Sequence, residues 1–232
     1  MRKASPMKPW FNFAPAFALL ALFAAQEAST PAPVPVEQEP HHHLILKNDN
    51  LLVLRVTLQP GEWSLYHTHS VDDVAVWLGN TSATQQLPNQ PESAPAKQKP
   101  GNISLRTLHE TPFTHRVHNL GPGLFDVLDV ELLRRPEHPS TGAAGPVAGE
   151  NPSARVYNWT LAPNGVTPMH THERPYLIIA ATGFNLKMAA PDGQSAMHEI
   201  KAGDFHWVTA QVTHSLANVG TGEGQIIEIE LK

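Results

Sequence analysis

His67-Thr68-His69 recurs as His170-Thr171-His172, 103 residues further on. In an extended strand, side chains at i and i+2 share one face, so each triplet presents two imidazoles side by side. Each half then supplies a third histidine: His115, 46 residues beyond His69, and His214, 42 beyond His172. Each third histidine is followed four positions later by an asparagine, Asn119 or Asn218, with Gly121 or Gly220 just after. Ahead of the triplets, Val56-Thr-Leu-Gln-Pro-Gly61 has its counterpart in Trp159-Thr-Leu-Ala-Pro-Asn-Gly165. A unit this long exceeds any solenoid repeat and indicates a duplicated domain.

Within each half the period is short. Leu51–Leu58 is apolar at odd and even positions alike, as in a strand covered on both sides, and Pro60-Gly61 ends it. Further strand-like runs are Asp73–Leu78, Ile103–Leu108, Arg116–Asn119 and Leu124–Leu132. The polar, proline-rich residues 81–100 are expected to be irregular. No long amphipathic helix is visible. The fold class is therefore all-β: two consecutive barrels or jelly rolls, residues 44–133 and 153–232. Residues 29–43 read as a proline-rich linker, with His41-His42-His43 as its solvated end, and 134–152 as a second linker.

At 232 residues the chain has room for two small domains. Its net charge of −5 leaves no basic surplus for phosphates, so nucleic acid is not an expected partner. With no cysteine there are no disulfides, thiolate nucleophiles or iron–sulfur ligands. Arg2, Lys3 and Lys8 precede the apolar run 13–25, which is shorter than a membrane span and followed by small residues. Residues 1–28 are accordingly expected to be a signal peptide, cleaved between Ala24 and Ser29. The mature protein is expected to be exported, periplasmic or secreted, without a membrane partner.

The chemistry lies in the histidines. Three neutral imidazoles suit divalent iron, manganese, nickel, copper or zinc. The expected metal sets are His67, His69 and His115, and His170, His172 and His214. Four residues beyond the second histidine, on the same face, stand Asp73 and Tyr176. Asp73 is the preferred fourth ligand of the first set. Tyr176, with an ordinary pKa of about 10, is expected to donate a hydrogen bond to substrate or metal-bound water.

These residues resemble the cupin superfamily. Its first motif runs glycine, five residues, His-x-His, three or four residues, glutamate, six residues, glycine. Gly61 with His67 and His69 fits the opening; Gly165 fits with one residue fewer before His170, and Gly183 fits the closing glycine. The second motif ends in His-x3-Asn, matched by His115/Asn119 and His214/Asn218, with Gly101 and Gly203 near its opening. The resemblance implies a bicupin. The family's glutamate is missing from the motif in both halves. Asp72 fits the family's spacing to Gly79, whereas Asp73 fits the strand face.

The family spans many reactions. One expected function is a metal-dependent dioxygenase acting on a small enol, catechol or keto-acid. The alternative is a non-catalytic exported binder of a small acid or sugar. An isomerase or epimerase working without metal redox is a third. On these residues the first site, with Asp73, is expected to hold metal more tightly, and the second, with Tyr176, to do the chemistry.

Overall fold

The computed structural model describes Met1 and residues 32–136, 144–209 and 211–232. The expected signal peptide lies almost wholly outside the described residues, as do 137–143 of the second linker. Strands and one short 3-10 turn, Val36–Gln38, make up the regular structure of the described residues.

Each half is a pair of sheets. In the first half, one sheet runs His42–Lys47, Leu51–Leu58, Phe125–Leu132, Asp72–Trp77, Ile103–Arg106, every neighbour antiparallel. The facing sheet runs Val34–Pro35, His67–His69, Phe113–Gly121, Thr81–Gln86, Ala96–Gln98. The second half repeats this. Gly149–Glu150, Ala154–Leu161, Gly224–Leu231, Tyr176–Ala180 and Phe205–Val208 form one sheet; His170–His172, Val212–Asn218, Phe184–Ala189 and Ser195–Ile200 form the other. The fold is two consecutive cupin-type barrels, as expected.

The doubly apolar strands have a tertiary cause. In Leu51–Leu58, Val56 and Leu58 point into the first barrel, whereas Leu51 and Val53 join a core shared by both halves. Phe125–Leu132 does the same, with Val127 inward and Leu128, Val130 and Leu132 in the shared core. The second barrel contributes Val156, Leu177, Ile179, Ile227 and Ile229 to that core, all fully buried. One face of each strand thus fills its own barrel and the other packs against the second barrel.

Three expectations change. The first concerns residues 29–43. From Val34 onward they belong to the first barrel: Val34 and Pro35 pair with His67 and Thr68, and Val36 is buried. His42 is likewise buried and opens a strand along Leu51–Leu58, so it is not solvated. Neighbouring backbone supplies hydrogen bonds that proline richness alone does not exclude, since an edge strand tolerates proline. The second change is that residues 81–100 contain two strands, paired with each other through Thr81–Gln98 and Ala83–Ala96. The third concerns the linker 134–152, whose last residues are structural. Gly149–Glu150 pairs with the next strand, and Asn151 accepts the amides of Ser153 and Ala154.

The duplication also sets a register. Gly61 takes a φ of +86°, and its amide donates to Asn119 O; Asn164, at φ +64°, donates to Asn218 O. The counterpart of Gly61 is therefore Asn164, not Gly165, and both lie six residues ahead of the first histidine. Asparagine is the side-chain-bearing residue that best tolerates that left-handed backbone.

Asp72 ties the barrels together. It faces away from the first barrel's interior and accepts from Ser153 Oγ of the second barrel (2.7 Å), the Leu108 amide (2.8 Å) and Arg135 (3.1 Å). Burial opposes its charge, but these bonds and His109 hold the carboxyl well below its ordinary range. Its contribution is therefore present above the ordinary carboxylate pKa and lost as pH falls further. Asp72→Ala leaves these donors unpaired and should cost about 3 kcal/mol. The melting temperature should then drop by roughly 6–12 °C near neutral pH. Calorimetry showing no drop would remove Asp72 as the tie.

Candidate metal centres

Barrel geometry brings the predicted histidines together in both halves. His67 pairs across the sheet with His115, and His170 with His214, so the third imidazole stands directly opposite the first. Thr68–Thr114 and Thr171–Thr213 hydroxyl pairs, each at 2.9 Å, lock the same register on the outer face. Asn119 and Asn218 do not enter either site. Each donates to the backbone of the strand before the turn, Leu58 O or Leu161 O, and accepts the amide of the glycine two residues on.

In the first barrel all three Nδ1 atoms are engaged on the outer side: His67 with Leu65 O (2.9 Å), His69 with Glu131 (2.5 Å) and His115 with Gln85 Oε1 (3.2 Å). Arg106, a pure donor, lies 3.4 Å from His69 Nε2, so that ring carries its proton at Nδ1. His67 must do so too, because a carbonyl only accepts. The Nε2 atoms converge, with those of His69 and His115 at 3.2 Å. Burial is the largest influence on all three pKa values. Aided by Arg106 and the neighbouring imidazoles, it lowers His67 to about 4 and holds His69 and His115 well below the ordinary value. Three buried neutral imidazoles facing one another, with their far nitrogens tied to acceptors, suit a divalent ion. The three line a cavity of about 150 Å³, together with His42, Arg106, Trp77 and Phe113.

Asp73 points inward as the strand face predicted, but it is not at that convergence. Its carboxylate is gripped by Arg106 through Nε (2.9 Å) and Nη2 (2.6 Å), and it lies 3.5 Å from His69 on the Nδ1 side. It thus stands behind His69, in a carboxylate cluster with Asp129 and Glu131. Burial and mutual repulsion raise Asp129 to about 7 and Glu131 to about 10.

The second barrel holds a residue that motif spacing did not reveal. His170, His172, His214 and Glu228 place one ligand atom each within 4.8 Å of one another, all four residues buried. Glu228 approaches the three Nε2 atoms at 3.4, 3.3 and 3.2 Å. None of these contacts has hydrogen-bond geometry. All three Nε2 atoms and Glu228 Oε1 are sealed from solvent without a hydrogen-bond partner. Each such atom would cost about 1–3 kcal/mol if left so, and four aimed at one point fit a cation between them. Burial opposes the Glu228 charge, but the three imidazoles keep its carboxyl well below the ordinary range. Glu228 Oε2 also accepts from Trp159 Nε1 (2.7 Å).

The expected three-histidine, all-neutral second site is therefore corrected: a carboxylate completes it, and from the last strand. A signal existed. Asp129-Val-Glu131 and Glu228-Ile-Glu230 are the same acidic i, i+2 pair in otherwise apolar last strands, 99 residues apart. Both pairs face inward, where an unpartnered acid would not be tolerated. Tyr176 is buried and stacks on His172, ring centroids 3.9 Å apart, as a wall of this centre. Burial, then Glu228 and Glu230, raise its pKa, so the phenol stays protonated. The second barrel's cavity, about 320 Å³, is lined by Ile178, Leu186, Met188, Phe205 and Ile226 among others, and by none of the four candidate ligands.

No protein-family model and no curated protein matches this chain. Solved structures do. AerE from Microcystis aeruginosa is 12% identical at a TM-score of 0.59, over 87% of this chain and 98% of that one. The oxalate decarboxylase formate complex from Lactobacillus farciminis is 12% identical at 0.52, over 82% and 83%. A cupin domain from Bordetella pertussis Tohama I is 28% identical at 0.35, over 38% of this chain and 90% of that one. At 12% identity the likeness to the first two concerns the fold. Two barrels of one strand order, built around histidines at the same three positions, give this chain the bicupin fold.

Proposed function

We propose that both barrels bind a divalent transition metal, and that the first barrel is the working site, for a small organic anion. The observation carrying this is that His67, His69 and His115 line a cavity, whereas the second set adds Glu228 and lies outside the cavity found in its own barrel. For tetrahedral zinc, four protein ligands in a closed cage mark a structural site, and three with room beside them a reactive one. This reverses the assignment that Asp73 and Tyr176 suggested.

A metal on the first set would supply Lewis acidity and open positions for a ligand's oxygens. The chain's own residues do the rest. Leu65 O, Glu131 and Gln85 hold the rings in place. Arg106 keeps a positive charge in the cavity wall; Asp73 accepts its Nε–H and His69 Nε2 lies 3.4 Å from Nη2, which leaves three of its five N–H donors. Trp77 and Phe113 provide apolar walls. These features suit an enol, catechol or keto-acid, and oxidative cleavage by dioxygen is the reaction class proposed. By analogy of fold alone, a neighbour that is an oxalate decarboxylase in a formate complex fits a small carboxylate ligand. Export is proposed on the charged leader and short apolar run.

Elemental analysis of protein purified without metal-affinity resin should find up to two divalent ions per chain. An oxygen electrode with a panel of enols, catechols and keto-acids should show uptake with at least one. A melting shift with a ligand but no uptake leaves the non-catalytic binder. A chain that takes up none of iron, manganese, nickel, copper or zinc ends the metal reading.

A further inference from the structure

The first barrel's cavity contains a fourth imidazole that belongs to no metal set. His42 opens the edge strand His42–Lys47, and among the described residues the matching edge strand of the second barrel, Gly149–Glu150, carries no histidine. Its side chain is buried, and its ring lies 4.5 Å from that of His67 and 6.5 Å from that of His69, centroid to centroid. Glu39 fixes its orientation: the carboxylate lies 2.6 Å from His42 Nδ1. Glu39 is itself buried and over-determined, accepting the amides of His41 (2.8 Å) and Leu65 (2.9 Å). Those amides anchor it beside the loop that leads into His67. A carboxylate held by two amides only accepts, so Nδ1 of His42 carries the proton, and in the neutral ring Nε2 is the acceptor. Among the described residues Nε2 has no hydrogen-bond partner, and the residue lines the cavity.

Two unlike polar groups therefore stand in one small cavity, beside different histidines. Arg106 is a pure donor with a positive charge, next to His69. His42 is an oriented acceptor, next to His67. We propose that His42 is a specificity-determining residue that accepts a hydrogen bond from a ligand hydroxyl, so that the cavity selects small carboxylates bearing a hydroxyl or enol beside the carboxylate. The carboxylate meets Arg106, and the neighbouring O–H donates to His42 Nε2. A cavity of about 150 Å³ admits an acid of a few carbon atoms. Glu39 acts through His42 and is a positioning residue. This inference rests on the first barrel being the ligand site.

The test uses the full, metal-loaded chain and two probes, glycolate and methoxyacetate. They differ in whether the α-oxygen carries a proton. Calorimetric titration should show glycolate bound more tightly, by about three- to tenfold, the worth of one hydrogen bond. His42→Phe keeps a ring of similar shape and removes the acceptor. It should hold both metals by elemental analysis and lose most of that preference. His42→Gln, which offers a carbonyl, should restore part of it. Equal affinity for the two acids in the metal-loaded protein, or an unchanged preference in a metal-loaded His42→Phe, overturns the inference and leaves the first barrel as the ligand site. A chain in which neither acid binds overturns that reading and the inference together.

Discussion

Glu228→Leu should cost the protein one of the two metals proposed for it and much of its heat stability. Three imidazoles would remain, but without the one formal negative charge that meets the ion inside a sealed cage. A carboxylate–cation contact gains most where water is absent, and removing one partner of a buried charged set costs about 3–5 kcal/mol. For a chain of this size that corresponds to a melting temperature lower by roughly 6–20 °C. Metal content after dialysis should fall from two equivalents to one, and His67, His69 and His115 should keep theirs. Trp159 offers an internal check. Its indole N–H donates to Glu228, so its fluorescence should change in the same variant. Two retained equivalents with an unaltered melting curve would exclude Glu228 as a ligand.

Paired histidine deletions should separate the barrels by a larger margin. His67→Ala with His69→Ala removes two of the three inward Nε2 atoms from the first cavity. Binding of small carboxylates should then weaken by more than about 100-fold, beyond the 10- to 100-fold typical of losing a residue that merely supports a ligand. One metal equivalent should remain. His170→Ala with His172→Ala should remove the other equivalent and lower the melting temperature. Well below that temperature, affinity for the same acids should be nearly unchanged, because the first cavity is lined by first-barrel residues. The reverse pattern would return the working site to the second barrel and make Tyr176 a candidate for contact with substrate.

Much was legible in the chain itself. The two His-x-His triplets could only be on strands if both rings were to serve one site, and the repeat of the distal histidine and asparagine fixed two similar β-domains. Apolar residues at odd and even positions alike in Leu51–Leu58 indicate that both faces are covered. What covers them was not legible: sequence gives a face its character, and only packing chooses its partner, here the other barrel. Asp73 shows the same limit. Strand parity correctly turned it inward, but Arg106, 33 residues away, claims its carboxylate, and a pairing across the sheet leaves no trace in local spacing. Glu228 lies 58 residues beyond His170, outside the motif where a glutamate was sought; closure of the barrel brings the last strand beside the first histidines. In sequence, His42 reads as one of three solvated residues because adjacent side chains point opposite ways. That alternation is what turns His42 alone into the cavity, with Glu39 behind it, once the segment adds a strand to the sheet. Sequence determined which side chains could do chemistry and on what element; barrel closure decided which of them meet, because charge, burial and hydrogen bonding act across strands far apart in the chain.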